Sequence, residues 1–158
     1  MRWIRPLLLA SIAVFASLPT SGRFIIPQTY SELTEAADLV VIGQPAKIRT
    51  TQESIQVADG LVVRGVETSV KVLAVLKGHC EESILLLFHV RPEPIRTPGS
   101  DTVITHPVAP SVLEFDEGLG NAYLMFLRED GKRFVPAGGQ MDPVYSVIEL
   151  PKRFADLP

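Results

Sequence analysis

The sequence predicts a mainly β protein: a small antiparallel β-barrel with one short helix, preceded by an N-terminal signal segment. Three observations predict it. Apolar runs of strand length recur along the chain, bounded by Gly, Pro and Asp-Gly turn residues. Only one stretch, beginning at Thr29, carries helix-start chemistry. Strands and helices do not alternate, which argues against a parallel α/β sheet and leaves an antiparallel barrel or sandwich. A barrel is favoured over an open sheet because long apolar strands with exposed edges invite aggregation.

The first element reads as an export label. Arg2 and Arg5 form a positive start, residues 7–18 form an apolar core, and Val14-Phe15-Ala16 offers small residues for cleavage. The apolar run of about a dozen residues falls short of the ~17 needed to span a bilayer. Residues 1–22 are therefore assigned to a signal peptide and its cleavage zone, with the mature chain starting near Ser17, and residues 23–158 to a single domain. The expected location is periplasmic or extracellular, and the alternative is anchoring in the membrane by an uncleaved signal. A lipoprotein anchor would need a cysteine at the cleavage point, and the only cysteine is Cys80.

Without its label the chain keeps about 140 residues, enough for one hydrophobic core. The 158-residue chain carries 15 basic and 18 acidic residues, and loss of Arg2 and Arg5 leaves 13 against 18, a net charge near −5. That balance disfavours nucleic acid and anionic lipid as partners, because phosphates call for clustered Lys and Arg. Membrane contact is expected only through the signal segment, if it stays uncleaved. A single cysteine permits no internal disulfide, and Cys80 reads as a partly buried residue at a turn.

Thr29 and Glu32 have the spacing of a capping box, and Leu33, Ala36 and Ala37 mark one buried helical face that stops near Asp38. Residues 39–42 form a continuous apolar run ended by Gly43 and Pro45, which fits a strand buried on both faces or a barrel stave that bends at Gly43. Residues 50–60 read as polar and turn-like, with Asp59-Gly60 a hairpin turn. From 62 to 76 the chain alternates, with Val66, Thr68, Val70, Val72, Ala74 and Leu76 on one face. Residues 83–90 form a further strand. Residues 91–110 hold five prolines and Gly99, which leaves a long Pro-rich loop with a short strand at most around 102–105. Residues 122–127 form a core strand, and the turn at 129–132 leads into a strand at 133–136. Residues 145–150 fit a strand or a short helix equally well.

The runs Ala37-Asp38-Leu39-Val40-Val41-Ile42-Gly43, Val70-Lys71-Val72-Leu73, Leu76-Lys77-Gly78 and Tyr123-Leu124-Met125-Phe126-Leu127 occur in a recognisable order. That order resembles the netrin-like and tissue-inhibitor-of-metalloproteinase superfamily of OB-fold domains, and exported bacterial proteins sharing the pattern, over most of residues 30–136. The resemblance implies an OB-like barrel. In the inhibitors it would also imply an N-terminal cysteine that chelates a protease zinc. No cysteine precedes Cys80 here, so that mechanism is not carried over, and likeness of fold brings no activity with it.

Chemical constellations are sparse. His79-Cys80-Glu81-Glu82 offers metal-capable atoms, but neighbours on an extended chain point in opposite directions, and no metal-ligand spacing occurs. A dyad of Cys80 with His89 or His106 would rest on residue type alone, and His89 reads as a half-buried strand residue. The pairs Glu114/Asp116 and Glu35/Asp38 read as solvated or capping acids, with Asp38 bonding backbone amides at the helix–strand junction. Gly118-Leu119-Gly120 and Gly138-Gly139-Gln140 read as turns. No catalytic residue, metal ligand or cofactor is assigned. The expectation is an exported, non-catalytic interaction domain that binds a protein or cell-envelope component through the 91–110 loop, with Arg91, Arg96 and His106 as its candidate contacts. The alternative is a small extracytoplasmic enzyme or an inhibitor of one.

Overall fold

The structure is a computed structural model that describes residues 28–58, 61–93, 95–96, 103–104, 111–115 and 120–151. The signal segment at 1–22 lies outside the described residues, as does most of the Pro-rich loop. Helix α1 (Tyr30–Ala36) forms where Thr29 and Glu32 close a reciprocal cap. The Glu32 carboxylate accepts the Thr29 N–H at 2.7 Å, and the Thr29 hydroxyl oxygen accepts the Glu32 N–H at 3.2 Å. These bonds hold the Glu32 carboxyl below its usual pKa. Leu33 and Ala37 are buried as expected, but Ala36 is exposed, because the short helix rests on the sheet through a narrower stripe. Its last carbonyls are met by Lys77, whose ammonium donates to Thr34 O and Ala37 O, both at 2.6 Å.

Strand β1 (Leu39–Ala58) and β2 (Leu61–Lys77) form one long antiparallel hairpin, and β3 (Ile84–Pro92) pairs with β2. The apolar run ends at Gly43 and Pro45, but β1 runs through both. It also takes in residues 50–58, expected to be turn-like. Register shifts at Ile42/Gly43, Pro45/Lys47 and Thr50/Ser54 absorb the residues that do not fit a regular ladder, and such bulges bend the strand. Gly43 is needed at the bend, since a Cβ there would stand 2.5 Å from Val70 Cγ1. Ala58 pairs with Leu61, so the reversal falls on residues 59–60, which lie outside the described residues.

In the Pro-rich segment β4 (Ile95–Arg96) and β5 (Val103–Ile104) pair in a small separate ladder. The chain then resumes with β6 (Tyr123–Asp130) and β7 (Arg133–Pro136), joined by a tight turn at Gly131, where φ is +64°. A 3-10 turn (Pro143–Tyr145) leads into β8 (Val147–Glu149), so residues 143–149 hold both of the alternatives left open for this stretch.

The main sheet runs β1-β2-β3-β7-β6-β8, and β6 pairs back onto β1 from Leu39↔Leu127 to Gly43↔Tyr123. Five strands thus close into a ring. Followed from Ile48 through Thr68, Leu87, Phe134 and Glu129, the pairing returns to the level of Ala37, eleven residues back (48 against 37). The weakest seam is the parallel contact of β3 with β7, which has one register pair, Leu87↔Phe134. Gln140 reinforces it: its amide oxygen accepts the Val90 N–H at 3.0 Å and its amide nitrogen donates to Phe88 O at 3.2 Å. A side-chain amide here stands in for a missing stretch of strand.

Alternate residues fill the largest core cluster, which includes Val41, Val70, Leu87, Phe115, Met125 and Leu127. On the opposite sheet face, Val40 and Phe126 pack under Leu33 of α1. Tyr123 belongs to the first cluster and Phe126 to the second, so both are buried, on opposite faces. A third cluster joins Leu61, Val63, Phe88 and Val90. The Asp38 carboxylate accepts a backbone N–H, but that of Glu129 in β6, at 3.0 Å, rather than one at the helix–strand junction as expected.

Candidate functional site

The strand register sets Arg91 of β3 directly opposite Arg64 of β2, and His89 opposite Val66, which in turn faces Thr50 of β1. Where β3 ends and the Pro-rich segment departs, Thr50, Arg64, Val66, Arg91, Pro92 and Glu93 enclose a cleft of about 400 Å³. Arg64 forms an ion pair with Glu93. Arg91 is exposed and has no ion-pair partner among the described residues. Like charges facing each other across an antiparallel ladder are unfavourable. With Glu93 counted, the described residues that line the cleft carry a net charge of about +1.

Next along β3 from the cleft, His89 is 1% exposed, which corrects the half-buried expectation. The strand continues into the ring, and Phe115 lies edge-on to the imidazole at 6.0 Å. Phe115 in turn meets Tyr123 edge-on at 5.0 Å. The Nε2 atom lies 3.4 Å from Thr68 Oγ1, and Nδ1 has no hydrogen-bond partner. Burial, and secondly the nearby charge of Arg91, push the His89 pKa down to about 4. The ring is neutral at pH 7.

Of the candidate contacts, Arg91 lines the cleft, and Arg96 falls in β4. His106 lies outside the described residues. Cys80 is half-buried in a different cleft of about 670 Å³, between residues 79–86 and the β6–β7 turn, and its thiol donates to Glu82 O at 3.3 Å. His79 and Glu81 contact each other at 3.2 Å on the surface of that cleft. His89 does not line it, so Cys80 and His89 are not brought together. Among the described residues no three His, Cys, Asp or Glu side chains are placed to share a metal ion. Gly138 spends its N–H on Ser146 Oγ at 2.7 Å, and Gly139 has φ of +92°, as a turn requires.

Sequence reasoning missed a clamp built on Arg133. Its guanidinium lies 3.7 Å from the centre of the Phe88 ring and donates to Glu53 at 2.6 and 3.2 Å and to Asp130 at 3.1 Å. The bond to Glu53 is the main reason that Arg133 is held even more firmly protonated and Glu53 more firmly ionised than usual. Only the Asp130-x-x-Arg133 spacing across a hairpin hinted at this. Glu53 arrives from β1, beside Glu67 of β2, which lies 4.0 Å from the same guanidinium. Arg64 was likewise illegible as a site residue until the register placed it against Arg91.

Among the described residues no helix is long and apolar enough to cross a membrane. Compared with known proteins, the chain matches no family model and no curated sequence.

Proposed function

We propose that this chain is an exported, non-catalytic interaction domain that binds a protein or cell-envelope component through residues 91–110 and the cleft at their foot. One observation carries the reading: Arg91, without an ionic partner among the described residues, stands opposite Arg64 at an open cleft where the Pro-rich segment leaves β3. Exposed guanidinium groups at a concave site are common anchors for partners.

The finer reading of the fold is an OB-like barrel. The spatial order β6-β1-β2-β3 is that of a Greek key, in which a fourth strand returns by a long connection to lie beside the first. The long connection is the segment containing residues 91–110. The eleven-residue offset round the ring is the kind of stagger that closing a sheet into a barrel demands. Five-stranded Greek-key barrels with bent strands match the resemblance to netrin-like domains, and such barrels bind ligands beside their connecting loops.

The test is affinity capture from envelope extracts with the mature chain and with a variant carrying an equal-length Gly/Ser linker in place of residues 94–110. The proposal expects captured proteins to be lost in the variant while its circular dichroism stays that of the parent. Identical capture by both chains contradicts it. Export is tested by N-terminal sequencing of the recovered protein, with a start near Ser17 expected and a cytosolic product starting at Met1 contradicting it.

A further inference from the structure

We infer that the Arg64–Arg91 cleft is a carboxylate-binding site, recognising an acidic side chain or a chain-end carboxylate of the partner. The inference deepens the interaction-domain reading and rests on it for the partner, though not for the ligand chemistry.

The site is held at a cost to the fold. A cross-strand pair of arginines weakens the ladder that holds it. Among the described residues one carboxylate, that of Glu93, meets the two guanidinium groups, and it pairs with Arg64. The planar fork of Arg91 is left facing the cleft, in a geometry suited to a planar oxyanion. A single carboxylate brings the site from about +1 to neutral, whereas a dianionic phosphate would leave an excess negative charge beside Glu93. The floor is apolar at Val66, and Thr50 adds a hydroxyl-bearing residue to the wall. That combination suits a short acidic side chain with its methylene stem.

His89 supplies an internal reporter. It lies two residues from Arg91 on the same strand, and around its ring stand the Thr68 hydroxyl and the Phe115 ring, neither of which carries charge. The charge of Arg91 is one of the causes that disfavour its protonation. A carboxylate seated on Arg91 offsets that charge and makes His89 easier to protonate.

The experiment titrates the mature chain at low salt, by NMR and calorimetry, with four probes. These are an N-acetylated, C-amidated tetraglutamate peptide, its glutamine counterpart, an N-acetylated tetra-alanine peptide with a free C-terminus, and inorganic phosphate. The expected result is saturable binding of one or both carboxylate peptides, with the glutamine peptide at least about tenfold weaker. The glutamate amide and the free-ended alanine peptide distinguish a side-chain source from a chain-end source. Arg91→Ala is expected to weaken binding by about tenfold or more without lowering the melting temperature, whereas Arg49→Ala, at a pair with Glu67 outside the cleft, leaves it within about twofold. The His89 titration is expected to move upward on binding in the parent and to be unmoved by peptide in Arg91→Ala.

Equal affinity for the glutamate and glutamine peptides, undiminished binding in Arg91→Ala, or tighter binding of phosphate overturns the inference. Capture unchanged by the linker replacement, together with Arg91-dependent peptide binding, would remove the loop reading and leave the site. Capture lost on replacement, with no carboxylate peptide bound, would do the reverse.

Discussion

At His89 a titratable ring occupies a place where the fold favours only its neutral form, with a pKa of about 4 against 6.5 for an unperturbed histidine. The unfolded chain therefore binds the extra proton first. Stability falls as the pH drops through 6.5, and the loss is complete below about 4, at roughly 3 kcal/mol. Urea unfolding of the parent between pH 7 and pH 4 is expected to show that decline, and His89→Leu is expected to lack it. Identical pH profiles would contradict the assignment. Gln140 is the second residue on which the fold leans: Gln140→Ala removes both bonds to the β3 backbone and is expected to cost about 1–3 kcal/mol in the same assay. Gln140→Glu keeps the acceptor but sets a second acceptor oxygen against Phe88 O, so it is expected to cost at least as much. Arg91→Thr runs the other way. Relief of the facing charges predicts unchanged or slightly higher stability, by about 0.2–1 kcal/mol, together with lost binding.

Among the elements, α1 was fully legible in its cap and only partly in its packing. The capping box needs only the four residues 29–32, and Thr29→Ala is expected to cost about 1 kcal/mol, measured by thermal unfolding. Whether Ala36 is covered depends on where the sheet passes, which local sequence does not say. β1 was the element misjudged most. Gly43 and Pro45 usually punctuate strands, but here bulges carry the ladder past both, and the polar residues at 52–56 lie on an exposed stretch of strand. The turn expected at Asp59-Gly60 lies outside the described residues, between the paired Ala58 and Leu61. Gly78 shows the limit from the other side. Its φ of +81° fits the expected strand end, yet the approach of Asp38 O to within 2.3 Å of a would-be Cβ comes from tertiary packing. Gly78→Ala combines strain and clash and is expected to cost about 2–3 kcal/mol or more, read as a lower denaturation midpoint.

At the scale of the whole molecule, closure of the ring explains which contacts local sequence left hidden. The pairing order β1-β2-β3-β7 carries Glu53 of β1 to Arg133 of β7, and the β2–β3 register brings Arg64 to Arg91. Neither pair shares a local pattern. Mainly β character and, among the described residues, the short helix were legible because they depend on composition and periodicity. The cleft was not, because it is made by register. Two surfaces now compete for a partner: the mouth at Arg64 and Arg91, and the exposed apolar side chains Leu73, Ile84 and Leu86 on the β2–β3 ladder. The measurement that separates them most directly is hydrogen exchange on residues 23–158 with and without a partner retained by affinity capture. The account predicts slowed exchange at residues 64–66 and 89–93. Protection confined to the region of Leu73, Ile84 and Leu86, with the mouth exchanging as in the free chain, would contradict it.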